Sequence, residues 1–519
     1  MTSGEAVFTE DDRRELAVRG IPEHEALRQL GLLAHPPGHA RLERPCTVGD
    51  GIERLDEARL PALHAAHARA AAAGAVSLFV PASGAATRMF RELLAALASG
   101  EPLDPAAVRA AAAGGEPVAR AVTEWVEGLP RFAFHDALSA ALAARGCSLA
   151  DLRARGPWRP LLEALLEPGG LDYARLPKGL LEFHREPRDA GGARTAFAEH
   201  LEEAAVLARD GAGRCRAHFT VSHEHRARFE ALLASLAPAL EARSGAKLDV
   251  ALSQQHAGSD TLAGDPAGGA FRDAAGRLLF RPSGHGALLQ NLEESGGDLV
   301  FVKNVDNVAA APHRNETLLW SRALVGLAAE LRERVSDLCG RLAGGRDPDA
   351  EAQARAFALA VFGRDDAPGG REALAAWLDR PLRVCGMVPN TGEPGGGPFW
   401  VRGRDGRVTR QIVESSQVDA GSAGQAAILA RATHFNPVFF ACALRDAGGR
   451  PHRLANRVDE ESVIVTRKSS GARELLALER LGLWNGAMAE WHTVFVEVPL
   501  AVFNPVKTVL DLLRPEHQP

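Results

Sequence analysis

The sequence predicts an α/β protein whose sheet is mostly parallel. From residue 177 onward, short apolar runs typical of buried strands alternate with amphipathic segments typical of helices. This alternation indicates a parallel sheet, because each crossover helix returns the chain for another strand in the same direction. An earlier strand, "AVSLFV" at 75–80, is followed by a loop of small residues and by the helix "MFRELLAALA".

Three further segments complete the predicted domain organisation. Residues 1–73 predict a helical N-terminal extension, and about 100–172 predict a helical insertion, because no strand-like run occurs there. The α/β core is expected over 74–340, and 341–519 form a C-terminal part that ends in a helix. After the insertion, strands are expected at "RAHFTVS", "KLDVALSQQ", "DLVFVKNVDNV", "RQIVESSQV", "SVIVTRK" and "HTVFVEVP".

Composition excludes several classes of protein. The chain has 519 residues, of which 46% are hydrophobic and 24% charged, as in globular proteins with a sizeable core. A formal net charge of -6 without a basic tract argues against nucleic acid as a partner. The acidic start and the lack of any run of roughly 18 apolar residues argue against a signal peptide and a membrane span. The six cysteines form no CxxC pair, so we expect a cytoplasmic protein.

The stretch "FVPASGAATRMFRELL", residues 79–94, combines a strand, a loop of small residues and a helix. A loop without bulky side chains lets a ligand approach the backbone at Gly84, and the N–H groups at the next helix start favour an anion. Phosphate is the usual anion, and Thr87 and Arg88 would add contacts to it. Similar turns also occur in α/β proteins that bind nothing there, so the loop alone leaves both interpretations open.

Polar residues follow the other predicted strands, at the sheet edge where ligands bind in open parallel sheets. Gln255 follows one strand, and Asp306 and Asn307 follow "LVFVKN". Neutral hydrogen-bonding groups with one carboxylate suit a nucleotide and a divalent ion better than acyl transfer. Neither a GxSxG elbow nor a GxxxxGK[ST] loop occurs, which argues against a serine hydrolase and a Walker-type ATPase.

Four motifs carry a resemblance to sugar-1-phosphate nucleotidyltransferases. "VPASGAATRM" resembles the signature loop of that superfamily, and "LPKGLLEFH" followed by "RTAFAEHLEEA" resembles its Pro-Lys-x-Leu segment and the next helix. "SGHGALLQNLEESGGDLVFVKNVDNV" and "VPLAVFNPVKTVLDLL" resemble segments of one branch, the eukaryotic-type UDP-sugar pyrophosphorylases. The motifs keep the expected order over roughly residues 75–512. The resemblance implies a Rossmann-like, GT-A-like nucleotidyltransferase sheet.

The whole chain is also similar to a bacterial family, DUF4301, whose members share the sequence segments "KGLLEFH", "GHGALLQNL" and "LWNGAMAEWHTVFVEVP". Two features depart from the superfamily pattern. Lys178 lies much farther along the chain after Arg88 than is usual, so the helical insertion must loop out and return. Ala85 and Ala86 stand where glycine is often found. Either departure would loosen nucleotide binding or mark a different substrate.

The resemblance implies that a sugar 1-phosphate oxygen attacks the α-phosphorus of a nucleoside triphosphate and releases pyrophosphate. Such a transfer depends on positioning and charge neutralisation. Arg88 would neutralise the pyrophosphate, Lys178 would hold the α-phosphate or the sugar phosphate, and Lys507 would contact a further phosphate. Asp306 is the expected ligand of Mg²⁺, which is bound by few carboxylates together with phosphate oxygens.

Each of these four residues also has a structural interpretation. Arg88 would then pair with a surface carboxylate, and Lys178 would be a solvated lysine after a proline. Asp306 would belong to an Asx-type turn, and Lys507 would be an ordinary lysine before a helix. The sequence leaves both sets of roles open.

The remaining candidate residues divide into two groups. The expected nucleotide-binding residues are Ala82, Ser83, Gly84, Ala85, Thr87, Gln255, Gly284, His285 and Gly286. The expected substrate-binding residues are Asn307, His434, Asn436, Asn485 and Glu490. Structural alternatives stay open for Gln255 and His285, and for the substrate-binding residues from His434 onward, which are equally typical of loop caps.

The predicted function is therefore transfer of a nucleotidyl group, most simply from UTP, to a sugar 1-phosphate, with the C-terminal part completing the sugar and phosphate side of the site. One alternative is transfer to a non-sugar phosphate or phosphonate on the same fold. Another is a protein that binds a nucleotide sugar without turnover, which the joint presence of Arg88, Lys178 and Asp306 disfavours. A glycosyltransferase is disfavoured too, since "NVDN" lacks the paired carboxylates of a DxD motif.

Overall fold

The structure is a computed structural model that describes residues 7–186, 192–345, 347–392, 395–471 and 473–519; the side chain of His285 lies outside the described part. The chain divides into two compact units, each built from three segments. The first unit comprises residues up to Ala70, Ser253–Val302 and Ala323–Pro499. The second unit comprises Ala71–Leu252, Lys303–Arg322 and Leu500–Pro519.

Strands occur on both sides of a helical stretch that lies between residues 82 and 181. In order they are β1 (Arg41–Pro45), β2 (Thr47–Val48), β3 (Gly51–Glu53), β4 (Val76–Pro81), β5 (Glu182–Arg185), β6 (Ala193–Thr195), β7 (Arg214–Thr220), β8 (Lys247–Ser253), β9 (Thr261–Gly264), β10 (Phe280–Arg281), β11 (Leu299–Lys303), β12 (Leu382–Pro389), β13 (Gly397–Arg402), β14 (Val408–Val413), β15 (His434–Phe435), β16 (Phe439–Ala443), β17 (Val463–Ser470), β18 (Arg473–Arg480) and β19 (His492–Glu497).

The α-helices are concentrated between the strands of the core and in the segment that follows β4. In order they are α1 (Glu10–Arg19), α2 (Glu23–Ala34), α3 (Leu60–Ala72), α4 (Arg91–Ala98), α5 (Pro105–Ala113), α6 (Pro117–Gly128), α7 (His135–Ala144), α8 (Leu149–Arg155), α9 (Arg159–Leu166), α10 (Ala196–Leu207), α11 (Arg226–Ser244), α12 (Leu289–Glu294), α13 (Arg314–Gly344), α14 (Ala350–Phe362), α15 (Arg371–Leu378) and α16 (Ala423–Ala430).

The first unit is organised around β19, which lies between β3 and β12 and runs parallel to both. Leu382 of β12 is opposite His492 of β19, and β16 joins the other side of β12 in the antiparallel sense. Nearly every residue of β12 and β19 is buried, as expected for strands covered on both faces. The same unit contains two antiparallel sheets, ordered β1-β13-β14 and β10-β9-β18-β17.

The second unit has the parallel pair β4 and β7 at its centre, with β8 next to β7. All six residues of β4 are buried, and α10 packs against both strands of the pair. Helices α5–α9 form the predicted insertion. The starts of the first two follow from local chemistry. The side chains of Asp104 and Glu116 accept from N–H groups in the first turns of α5 and α6, and each of these two helices begins with a proline.

The prediction of an α/β protein with a largely parallel central sheet is confirmed. The range from about 100 to 172 contains the expected helices, and the six later strands occur where they were expected. Residues 1–73, expected to be a helical extension without strands, also contain β1, β2 and β3. These strands are two to five residues long and are stabilised by distant partners, since β1 pairs with β13 and β3 with β19. The expected final helix is a 3-10 turn, Val509–Leu513. Because both compact units are discontinuous in sequence, the boundaries at 73 and 340 stay predictions.

Candidate functional site

The loop after β4 is open to solvent. Ala82 is buried and its N–H donates to the carbonyl oxygen of Thr220 at 2.8 Å, which fixes the start of the loop. Ser83, Gly84 and Ala85 are exposed. Apart from its chain neighbours, no atom of the described residues lies within 4 Å of a Cβ atom added to Gly84, and the backbone there is not left-handed. The fold itself therefore does not require glycine at this position.

The segment that carries Lys178 lies against this loop. The N–H of Ala86 donates to the carbonyl of Leu176 at 3.1 Å, and the N–H of Lys178 donates to the carbonyl of Gly84 at 3.2 Å. The hydroxyl of Thr87 lies 3.3 Å from the carbonyl oxygen of Ala174. The helical insertion thus leaves and returns beside the same loop, as the sequence requires if Arg88 and Lys178 are to act together.

The side chain of Lys178 joins two other predicted elements of the site. Its Nζ donates to Oδ2 of Asp306 at 2.6 Å and to the carbonyl oxygen of Val506 at 2.7 Å. The Lys178 and Asp306 side chains keep 15% and 19% of their surface exposed. The next residue, Gly179, packs closely on the Phe229 ring, since a Cβ there would lie 3.0 Å from ring atoms. Sequence reasoning missed Val506, whose contribution is a backbone carbonyl and leaves no side-chain signal.

The turn that carries Asp306 is held by backbone and amide contacts. The N–H of Asn307 donates to the carbonyl of Asn304 at 3.2 Å, and the N–H of Val506 donates to the carbonyl of Asp306 at 3.1 Å. Asn307 is buried, and its amide bonds Val502 and Asn504 of the following segment. The carboxylate of Asp306 binds Lys178 and closes no Asx turn. Substrate contact by Asn307 stays a prediction, since its amide already binds this chain.

The other two predicted cations lie in the second unit as well. Arg88 is exposed at the 3-10 turn Ala86–Phe90, and within the described part of the chain its side chain makes no ion pair or hydrogen bond. Lys507 is half-buried, with Nζ 5.6 Å from the centre of the Phe503 ring. Its backbone N–H donates to Asp511 at 2.8 Å. The surface-pair interpretation of Arg88 therefore has no counterpart among the described residues.

The predicted residues around the Gly-His-Gly turn belong to the first unit. Nε2 of Gln255 lies 3.3 Å from Oδ1 of Asp260. Gly284 has a φ of +82°, and a Cβ on Gly286 would lie 2.2 Å from the carbonyl oxygen of Leu481. The fold therefore requires glycine at positions 284 and 286, whereas it does not require glycine at position 84. Nucleotide contact at Gln255, Gly284 and Gly286 stays a prediction.

The predicted sugar contacts also belong to the first unit, and several of them already have partners. Nε2 of His434 lies 3.4 Å from a carboxylate oxygen of Glu497. The amide of Asn436 donates to the carbonyl of Gly386 at 3.0 Å and accepts from the N–H of Val438, which has a φ of +54°. This arrangement matches the loop-cap interpretation of Asn436.

Asn485 and Glu490 lie farther along the same unit. Asn485 is buried and lines a cavity of about 1000 Å³, together with Gln411 and Gln417. Glu490 is exposed, with Oε2 3.6 Å from Nη1 of Arg457. Asn485 is thus a predicted sugar contact that lies in the wall of a cavity.

The described residues contain neither a preformed cluster of metal ligands nor a helix that could span a membrane. No group of three or more His, Cys, Asp or Glu side chains in the described ranges is arranged to hold a metal ion. A single carboxylate that shares Mg²⁺ with phosphate oxygens needs no such group. Across that same part of the chain, none of the helices combines the length and apolar character needed to cross a membrane.

Comparison with solved structures identifies the fold. The protein is similar to the UDP-N-acetylglucosamine pyrophosphorylase from Trypanosoma brucei, with a TM-score of 0.50, 14% identity, and coverage of 98% of this chain and 79% of that chain. It is also similar to a UDP-glucose pyrophosphorylase variant from Leishmania major in complex with UDP-glucose, with a TM-score of 0.46, 12% identity and coverage of 97% and 77%. The first of these likenesses shows a fold of the UDP-sugar pyrophosphorylase type.

Comparison with sequences identifies the family. A search of curated proteins finds no match to this chain. The model of the family described as "Domain of unknown function (DUF4301)" matches residues 9–518, which is nearly the whole chain. Both resemblances expected from the sequence motifs are therefore confirmed, and the protein belongs to the DUF4301 family.

Proposed function

We propose that this protein is a nucleotidyltransferase that joins a nucleoside triphosphate to a sugar 1-phosphate and releases pyrophosphate. The observation that carries the proposal is the pairing of Lys178 with Asp306 beside the exposed loop at Gly84. A cation, a carboxylate and open backbone are thereby collected in one place. Phosphoryl chemistry needs these groups, since it depends on positioning and charge neutralisation.

In the proposed reaction, a phosphate oxygen of the sugar 1-phosphate forms a bond to the α-phosphorus of the triphosphate. The bond from that phosphorus to the bridging oxygen of the β-phosphate breaks, and pyrophosphate leaves with the electron pair. Lys178 holds the α-phosphate or the incoming phosphate. Arg88, whose guanidinium has no internal partner among the described residues, binds two oxygens of the departing pyrophosphate. Lys507 contacts a further phosphate.

Asp306 is the residue that would hold Mg²⁺. Its Oδ2 is bound by Lys178, while Oδ1 has no hydrogen bond within the described chain and the side chain is partly exposed. Mg²⁺ is commonly bound by one or two carboxylates, with substrate phosphates and water completing the shell, so one carboxylate beside a phosphate loop fits it. When bound, the ion supplies neutralisation of phosphate charge.

We propose that the nucleoside triphosphate is UTP and that the acceptor is a sugar 1-phosphate. The UTP assignment is supported by the "GHG" and "NVDN" motifs and by the likeness to the trypanosomal UDP-N-acetylglucosamine pyrophosphorylase. On the acceptor side, the proposed sugar contact is Asn485, which lies in the wall of a cavity of the first unit.

The test is pyrophosphate release with each of the common nucleoside triphosphates and a panel of sugar 1-phosphates in the presence of Mg²⁺. We expect release with UTP and one or a few of the sugars, and its loss in Lys178→Met. Lys247→Met is the matched control, because Lys247 forms an exposed ion pair with Glu241 at the start of β8. Pyrophosphate release only with non-sugar phosphates would show that the acceptor is not a sugar 1-phosphate. Tight UDP-sugar binding without any release would overturn the reaction.

A further inference from the structure

Helix α10 brings charged and polar side chains into the interior of the second unit. His200 is fully buried, and Glu203, one turn later on the same helix, is almost fully buried. Both oxygens of Glu203 accept from Nζ of Lys303, the last residue of β11, at 2.7 and 2.8 Å. The pair thus ties α10 to the end of the strand that leads to Asp306.

His200 makes a second connection from α10 to the same strand end. Its Nε2 lies 3.1 Å from the carbonyl oxygen of Val305, and a carbonyl accepts only, so Nε2 carries the proton and donates. Nδ1 lies 3.5 Å from Oε2 of Glu203. A buried imidazole that reaches a main-chain carbonyl constrains the backbone there, because the contact is costly to lose away from water.

Val305 directly precedes Asp306, and its peptide unit sets the direction in which the Asp306 side chain leaves the chain. The carbonyl of Asp306 is bound by the N–H of Val506, so the two peptide units around the carboxylate are held from two sides. One of these two restraints is the contact of the His200 side chain with the carbonyl of Val305. This contact therefore restrains the backbone from which the carboxylate reaches Lys178.

We propose that His200 is a positioning residue for Asp306: through the carbonyl of Val305 it orients the carboxylate that pairs with Lys178 and would hold the divalent ion. The inference rests on the proposed function. Because His200 is fully buried and contacts the carbonyl of Val305, its effect passes through Asp306. Partners that orient a metal ligand typically change metal affinity or activity by about 10- to 100-fold when they are removed.

Two substitutions at His200 separate positioning from packing. His200→Leu removes the donor, whereas His200→Gln places an amide N–H near the position of Nε2. His492→Leu is the matched control, since His492 is also buried and its Nε2 lies 3.1 Å from the carbonyl oxygen of Leu378 in the first unit. Each variant is measured for pyrophosphate release and, by electron paramagnetic resonance, for Mn²⁺ affinity in the presence of UTP.

We expect His200→Leu to lose about 10- to 100-fold in Mn²⁺ affinity or in kcat per folded molecule, and His200→Gln to recover most of it. His492→Leu should change neither quantity. The inference is overturned if His200→Leu only lowers the melting temperature, as His492→Leu does, while Mn²⁺ affinity and kcat stay at wild-type values. That outcome leaves the proposed function intact, whereas a wild-type protein that neither releases pyrophosphate nor binds Mn²⁺ with UTP overturns both.

Discussion

The ammonium group of Lys178 lies 2.6 Å from a carboxylate oxygen of Asp306, although the two residues belong to distant parts of the chain. The same ammonium group contacts the carbonyl of Val506 at 2.7 Å. A lysine that is held by one charged and one neutral oxygen is oriented before any phosphate arrives. Such preorganisation is what charge-stabilising catalysis requires, because the groups need not rearrange as the reaction proceeds.

Asp306→Asn keeps the shape of the side chain and removes its negative charge. We expect turnover to fall on the order of 10²-fold or more, as for other electrostatic groups directed at a transition state. High Mn²⁺ should restore part of the activity if the carboxylate binds the ion. Pyrophosphate release per folded molecule is the measurement, with folding followed by circular dichroism. A variant that melts markedly lower yet keeps wild-type turnover would make Asp306 a structural residue of the turn.

Gly84→Ala tests whether a ligand lies against the loop after β4. Apart from the chain neighbours of Gly84, no atom of the described residues lies within 4 Å of the added methyl group, so folding stability should stay the same or rise by about 0.4–1 kcal/mol. Triphosphate binding should weaken, since the methyl group occupies the space that the ligand needs. Urea unfolding and the KM for the triphosphate measure the two effects.

Gly286→Ala is the contrasting control for Gly84→Ala, because its methyl group would lie 2.2 Å from a backbone oxygen of Leu481. Accommodating it forces the backbone to shift, at a cost of about 1–3 kcal/mol. Unchanged kinetics in Gly84→Ala, together with the expected loss of stability in Gly286→Ala, would exclude a ligand at the loop.

Arg88→Ala should leave stability within about 0.5 kcal/mol of the wild type, because the side chain is exposed and makes no ion pair in the described part of the structure. Turnover should fall far more than the affinity for the sugar phosphate, since the negative charge that Arg88 meets grows as the bond to pyrophosphate breaks. Separate measurements of kcat and of sugar-phosphate binding distinguish the two. Equal losses in both would make Arg88 a ground-state binding residue.

Base preference is accessible from thermal shifts with UTP, ATP, GTP, CTP and dTTP, each with Mg²⁺. At equal concentrations, the triphosphate with the lowest Kd stabilises the folded state most, and the stabilisation is about 2.7 kcal/mol at a hundred times the Kd. We therefore expect the largest rise in melting temperature with UTP. If GTP alone raises the melting temperature, the base assignment is wrong and the reaction class still stands.

His492 makes the stability of the protein sensitive to acid. Burial, with a contribution from the positive charge of Arg380, lowers the pKa of His492 from 6.5 to about 3. Unfolding therefore takes up a proton below about pH 6.5, and the stability contributed by the neutral ring decreases as the pH falls from 6.5 toward 3.

His492→Gln keeps an amide donor for the carbonyl of Leu378 and removes the titration. Between about pH 8 and pH 5 the wild type should lose about 2 kcal/mol more stability than this variant. Urea unfolding midpoints at the two pH values provide the comparison. Identical pH dependence in both proteins would show that the pKa of His492 is the same in the folded and the unfolded state, which contradicts the lowered pKa.

Several features were accessible from sequence because they depend on neighbouring residues. The apolar run of β4, the small residues after it and the polar residues after β11 each mark a local backbone conformation, and the structure has these elements where they were expected. Short strands such as β3 were missed, because two or three residues carry no periodicity and their pairing partner β19 lies far away in the sequence.

The family, the strands β4, β7, β8, β11 and β19, and the residue types available for phosphate chemistry follow from the amino-acid sequence alone, since motifs and apolar patterns are local properties of the chain. The tertiary structure alone decided that Lys178 meets Asp306, that the amide of Asn307 is used to hold its own chain, and that His200 reaches the carbonyl of Val305. The physical reason is that side-chain partners are set by how distant segments pack. That packing depends on the insertion α5–α9 returning beside the loop at Gly84, which no local pattern specifies.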